Sequence, residues 1–100
     1  MTEIRNVITE EKMRKYLDTT IRALKKLKIA PPERSFGRKA AEDFLKMAES
    51  YYEDALHFWD AGDVVNSFAA VNYAHGWLDC GARLGLFDVG GDDRLFTLYE

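Results

Sequence analysis

Two long helical patterns meet at Ala61-Gly62-Asp63, with Gly62 alone between them. Upstream of that break, Phe44, Ala48, Tyr51, Ala55 and Phe58 recur at spacings of three and four, widened by Ala41, Leu45, Tyr52 and Trp59. The opposite face carries Glu42, Asp43, Lys46, Glu49, Glu53, Asp54, His57 and Asp60. This split predicts an amphipathic helix over residues 36–61 with Ser35 as its N-cap. Gly62 suits the position after the helix, because glycine adopts the left-handed conformation without a Cβ penalty. Asp63 suits the N-cap of the next helix, over residues 63–84. A link this short forces the two helices into an antiparallel hairpin.

The later helix of the pair has an unusual pattern. Val64, Val65, Phe68, Val71, Tyr73, Ala74, Trp77, Leu78, Cys80 and Leu84 are spread almost all the way round it. A helix apolar on all sides is covered on more than one side. A third helix, over residues 9–29, supplies one cover. Thr9 is its N-cap, Glu10 and Glu11 fill its first turn, and Met13, Leu17, Ile21, Leu24 and Leu27 form its stripe, with Tyr16, Thr20 and Ala23 alongside. Lys25, Lys26 and Lys28 suit the negative end of its dipole, and Pro31-Pro32 stops it.

The expected fold is therefore an all-α, antiparallel three-helix bundle (up-down-up) with a short extended C-terminal tail over residues 88–100. At 100 residues the chain suits one domain. Leu95-Phe96-Thr97-Leu98-Tyr99 reads as an extended segment packing on the bundle, or as an arm docking on a partner. A lone strand there has only a symmetry mate to pair with. The longest charge-free run, Val64 to Leu78, is fifteen residues and contains Asn66, Ser67, Asn72 and His75. It is shorter than the roughly 20 residues of a membrane span, and residues 1–5 begin no signal peptide. With Cys80 as the single cysteine, no internal disulfide can form and a reducing, cytoplasmic setting is expected.

Charge divides unevenly, with a net of +6 over residues 1–40 and −9 over residues 41–100. Basic and acidic helices lying side by side explain this, within one subunit or across a dimer. The cluster Arg22, Lys25, Lys26 and Lys28 could touch phosphate, but it lacks the exposed aromatics of a single-strand binder and any helix-turn-helix glycine pattern. A solvated helix end fits it better, and nucleic acid is not the expected partner.

Asn72, His75, Asp79 and Arg83 step by three, four and four along one face of the last helix. A polar stripe on an apolar helix can form a small site, with Asp79 orienting the His75 imidazole and Arg83 holding a phosphate or carboxylate. It can equally be a buried network that fixes helix register, or a polar seam between subunits. No nucleophile and no Gly-rich phosphate loop accompany it, so no catalytic residue is assigned. His75 and Asp79 have a zinc-compatible spacing, but a third ligand is missing and no metal or cofactor is expected. Gly76, Gly81 and Gly85 suggest close backbone approach between helices, or of a ligand to the helix, and Gly85 also suits a C-cap.

The runs Tyr51-Tyr52-Glu53-Asp54-Ala55-Leu56, Ala61-Gly62-Asp63, Asn72-Tyr73-Ala74-His75-Gly76-Trp77-Leu78-Asp79 and Gly81-Ala82-Arg83-Leu84-Gly85-Leu86-Phe87 resemble an archaeal family, domain of unknown function 357. The resemblance extends from the first helix to the Leu95-Phe96 tail. It implies a small all-α bundle, sometimes joined to nucleotidyltransferase-like domains. It brings no assigned activity, and it implies that Asn72, His75, Gly76, Trp77, Asp79, Gly81 and Arg83 belong to the family signature.

The leading functional expectation is a non-catalytic protein interaction or assembly module. It would act as a homodimer or with a protein partner, through the apolar last helix and the tail: Trp77, Leu95, Phe96, Leu98 and Tyr99. The alternative is a small-ligand domain binding a nucleotide or other anion at Asn72, His75, Asp79 and Arg83. An accessory domain touching nucleic acid ranks last.

Overall fold

Each helix begins at the side-chain cap its sequence supplies. In the computed structural model, which describes residues 2–97, helix α1 spans Glu10–Lys26, α2 spans Phe36–Asp60 and α3 spans Val64–Arg83. The Thr9 hydroxyl accepts from the Lys12 amide at 3.1 Å, Ser35 Oγ from the Arg38 amide at 3.0 Å, and Asp63 Oδ1 from the Asn66 amide at 3.1 Å. Each bond satisfies one of the amides that a helix start leaves without a partner.

The α2–α3 link is tight because Asp63 serves both helices. Its amide donates to Phe58 O at 2.8 Å and the Gly62 amide to Trp59 O at 3.0 Å, a Schellman closure of α2. Gly62 sits at φ +79°, which a side chain would strain. The Asp63 side chain then caps α3. The hairpin that the three-residue link requires is thus closed from both directions.

The packing seam of the hairpin is built from small residues. Ala41, Ala48 and Ala55 of α2, seven residues apart, are each fully buried. They face the buried side of α3, formed by Ser67, Ala70, Val71, Ala74, Leu78 and Gly81. Small residues at heptad spacing let two helix backbones approach closely. Phe58, placed in the central stripe by its spacing, is 37% exposed, because the alanine column turns the buried face away from it.

Helix α1 lies across this hairpin, parallel to α3. Met13 and Leu17 pack with Ala55, Ala70 and Val71 at one end, and Ala23 packs with Ala41, Ala48 and Leu78 at the other. This is the up-down-up, all-α three-helix bundle. No helix among the described residues is long and apolar enough to cross a membrane.

The first helix is shorter than its apolar pattern. It stops at Lys26, and Leu27 turns to extended backbone. Lys28–Ile29 form strand β1, which pairs antiparallel with β2, Phe87–Asp88. The Ala30 amide extends the pairing by donating to Leu86 O at 3.0 Å. Ala30 precedes Pro31, and a residue before proline is held extended. The strand-like element near the C-terminus thus finds a partner inside the chain, at residues 28–29, and it lies at 87–88 instead of at residues 95–99. Leu95-Phe96-Thr97 pack on the bundle without forming a strand. Phe87, Val89 and Phe96 complete the second core cluster.

Candidate functional site

The polar stripe on α3 faces α1 and the tail. His75 Nε2 lies 2.7 Å from Leu95 O. A carbonyl only accepts, so Nε2 carries the proton and donates. In the neutral ring Nδ1 then accepts from the Thr20 hydroxyl, 3.0 Å away. Thr20 is 2% exposed, so this bond satisfies a hydroxyl that would otherwise be buried without a partner. Asp79 Oδ1 accepts from the Thr97 amide at 2.8 Å and lies 3.7 Å from His75 Nε2. One imidazole and one carboxylate therefore tie three segments together: α1 through Thr20, α3 itself, and the tail through Leu95 and Thr97.

The tail is pre-shaped for this clasp. Asp92 Oδ1 accepts from the Leu95 amide at 3.1 Å and the Arg94 amide at 3.0 Å. The Leu95 bond is the chief reason its carboxyl is held below the ordinary aspartate value. The resulting turn drives Phe96, 2% exposed, into the core. Of the residues expected at an interface, Phe96 is therefore a core residue of the single chain. Leu95 is half-buried against the same cluster, and Leu98 and Tyr99 lie outside the described residues.

Beside the clasp, α1 and α3 diverge into a cleft of about 280 Å³, lined by Lys15, Tyr16, Thr19, Thr20, Asn72, His75, Gly76 and Asp79. Three members of the sequence-derived stripe, Asn72, His75 and Asp79, open onto it, and Arg83 does not. The α1 half of the lining was not singled out from the sequence. Its one signal was Thr20, a polar residue inside an otherwise apolar stripe.

The other side of α3 is turned to solvent. Val65, Ala69, Asn72, Tyr73, Gly76, Cys80 and Leu84 follow one another at helical spacing there, and all are exposed. Val65 is 75% exposed and Leu84 68%. Tyr73, Gly76, Trp77 and Cys80 line a shallow apolar groove of about 300 Å³. A chain of aromatic rings spans the hairpin beside it: Phe44 of α2 meets Trp77 of α3 edge-on at 5.0 Å, Trp77 meets Tyr73 one turn away at 6.2 Å, and Tyr73 meets Tyr51 of α2 at 4.5 Å. Trp77 is half-buried in this ladder, with its indole N–H buried and lacking an acceptor among the described residues.

Gly76 lies on the edge that the two sides share, lining both the cleft and the groove. A Cβ on Gly81 would lie 2.1 Å from the Phe87 ring, so glycine is required there to seat the residue that begins β2. The close approach is by that ring and not by another helix. A Cβ on Gly76 would meet nothing within 4 Å.

The basic residues Arg22, Lys25, Lys26 and Lys28 are all exposed. Arg22 lies 3.7 Å from Asp18 on the same helix. Among the described residues no group of three or more His, Cys, Asp or Glu side chains could hold a metal ion.

The family described as Protein of unknown function (DUF357) matches residues 15–87. The chain belongs to this family. The match takes in most of α1, all of α2 and α3, and the start of β2 at Phe87. It ends before the Leu95–Thr97 tail, to which the sequence resemblance extended. No curated protein and no solved structure matches the chain.

Proposed function

We propose that the protein is a non-catalytic assembly module that self-associates through the solvent-facing side of α3. One observation carries the reading: from Val65 to Cys80 the exposed stripe of α3 holds no charged residue. Exposed helix faces normally carry charge, and those of α1 and α2 do. A two-fold contact sets each residue patch against its own copy, so a charged face would repel itself and this one does not. The groove between Tyr73, Gly76, Trp77 and Cys80 supports the same reading, since it offers an apolar recess where a second helix can approach a backbone without a Cβ.

The His75–Asp79 clasp also favours this reading over a catalytic one. Both imidazole nitrogens and one carboxylate oxygen are engaged in holding α1 and the tail. The hydroxyl nearest them, on Thr20, is only 2% exposed and is itself spent on His75 Nδ1. The single cysteine suits a cytoplasmic setting, and the archaeal source implied by the signature residues belongs to the same reading.

Light scattering and Cys80 alkylation together test it. A dimer mass is expected, with Cys80 alkylated more slowly as protein concentration rises. Val65→Glu and Leu84→Glu should return the chain to a monomer with fast alkylation and a melting temperature that no longer depends on protein concentration. A monomer mass at every concentration, with alkylation independent of concentration, would overturn the proposal.

A further inference from the structure

The cleft between α1 and α3 carries a separate inference, which does not rest on self-association. Two charged residues that the helices hold apart line it, Lys15 on α1 and Asp79 on α3. Neither the Lys15 ammonium nor Asp79 Oδ2 makes a hydrogen bond or ion pair among the described residues. Helix α1 runs parallel to α3, with Tyr16 against Phe68 and Thr20 against His75. Lys15 therefore belongs to the Asn72 end of the cleft, and Asp79 to the far end. Asn72 and Asp79 are seven residues apart on one helix, about 10 Å at 1.5 Å per residue.

Between the two ends the lining is uncharged. Thr20 and His75 are already bonded to each other, Gly76 presents bare backbone, and Tyr16 and Thr19 form the α1 wall. At about 280 Å³ the cleft is at the small end of ligand sites, which begin near 300 Å³. It has room for a short chain.

We infer that this cleft binds a small zwitterion with a carboxylate at one end and an ammonium group at the other. The carboxylate sits on Lys15 and the Asn72 amide, the ammonium sits on Asp79, and the uncharged body lies over Gly76. A simple anion would meet Asp79 unfavourably, and a simple cation would meet Lys15. A molecule carrying both charges about 6–10 Å apart satisfies both ends. This relocates the anion-binding role expected of Arg83 to Lys15.

A length series decides it. The full chain is titrated with the ω-amino acids glycine, aminobutanoate, aminohexanoate and aminooctanoate, and with hexanoate and hexylamine as single-charge controls. Binding is read from amide chemical shifts. The expected result is saturable binding that peaks at aminohexanoate, with shifts centred on Tyr16, Thr20, Asn72 and Gly76. Lys15→Met and Asp79→Asn should each weaken it about tenfold; asparagine keeps an acceptor for the Thr97 amide, so the tail clasp survives. The same titration on Leu84→Glu should still saturate, at least as tightly, because Asn72 and Gly76 belong to both the cleft and the outward face; binding that survives in the monomer separates this site from self-association. The inference is overturned if no member of the series saturates, if hexanoate or hexylamine binds as well as aminohexanoate, or if both cleft variants bind as the natural chain does.

Discussion

On the side of α3 that faces α1, α2 and the tail, polar side chains end in specific partners. Ser67 Oγ donates to Ala55 O at 2.7 Å, His75 bridges Thr20 and Leu95, and Asp79 holds the Thr97 amide. On the solvent side, Val65, Gly76 and Leu84 meet nothing comparable, and the apolar groove beside Gly76 stands open. The same twenty-residue helix is thus committed on one side, except where the cleft opens, and uncommitted on the other. The first side makes the fold, and the second is available for association. Substitutions on the two sides should therefore differ in kind as well as in size.

The largest effect is expected at Gly81. Its added methyl in Gly81→Ala would displace the Phe87 ring, and overpacking of this kind costs about 3 kcal/mol. Denaturant unfolding should show that loss, and thermal melts a drop of about 4–8 °C for each kcal/mol. A melting temperature near that of the natural chain would mean that Phe87 can leave its seat without consequence. Next comes His75→Ala, which strands the buried Thr20 hydroxyl at about 1–3 kcal/mol. The same variant should speed hydrogen exchange of the Thr97 amide, since the tail loses its tie from His75 Nε2 to Leu95 O.

Gly76→Ala should move stability the other way. Nothing crowds its Cβ, so removing a mid-helix glycine should stabilise the single chain by about 1 kcal/mol. It should also weaken self-association, which sedimentation at several concentrations would reveal. Two glycines five residues apart would then have opposite signs. Leu84→Glu should change the stability of the single chain by less than about 0.5 kcal/mol while abolishing the dimer. A large loss of stability there would show that the outward side also supports the fold.

The smallest effect concerns Tyr52, on the α1–α2 side. Burial, with the nearby Asp18 charge, raises its phenol above the ordinary value of 10.0. The unfolded chain therefore ionises first, and this contribution to stability is lost as pH rises through 10 and beyond. Urea midpoints measured across that range should fall with pH, and Tyr52→Phe should flatten the slope.

The helices and their caps were legible because both signals are local. Thr9, Ser35 and Asp63 cap in place, and the short link at Gly62 dictated the hairpin. The polar stripe on α3 was legible for the same reason, since spacing alone puts Asn72, His75 and Asp79 on one face. Its other half was not. Which residues of α1 meet that face depends on how α1 is rotated against α3, and a periodic pattern does not give that angle. Lys15, Tyr16 and Thr19 could therefore be placed on a helix but not in a cleft. Strands β1 and β2 were hidden for a different reason: Lys28-Ile29 continues the apolar and basic pattern of a helix end, and only its distant partner makes it extended. Gly81 was read as a helix contact because its partner, the Phe87 ring, lies beyond the turn that ends α3.

That distant pairing bears on the order of folding. Strands β1 and β2 have two residues each, yet they join positions sixty apart in the chain. Closing a flexible loop of that length costs on the order of 4 kcal/mol in chain entropy, more than a few hydrogen bonds at about 1 kcal/mol each return. The clip cannot nucleate anything. The α2–α3 hairpin, with its three-residue link, faces no such barrier and can form first, bringing Phe87 within reach of Gly81. Only after α1 has docked does Lys28 stand opposite Asp88, so the clip is the last element to close and the first to open.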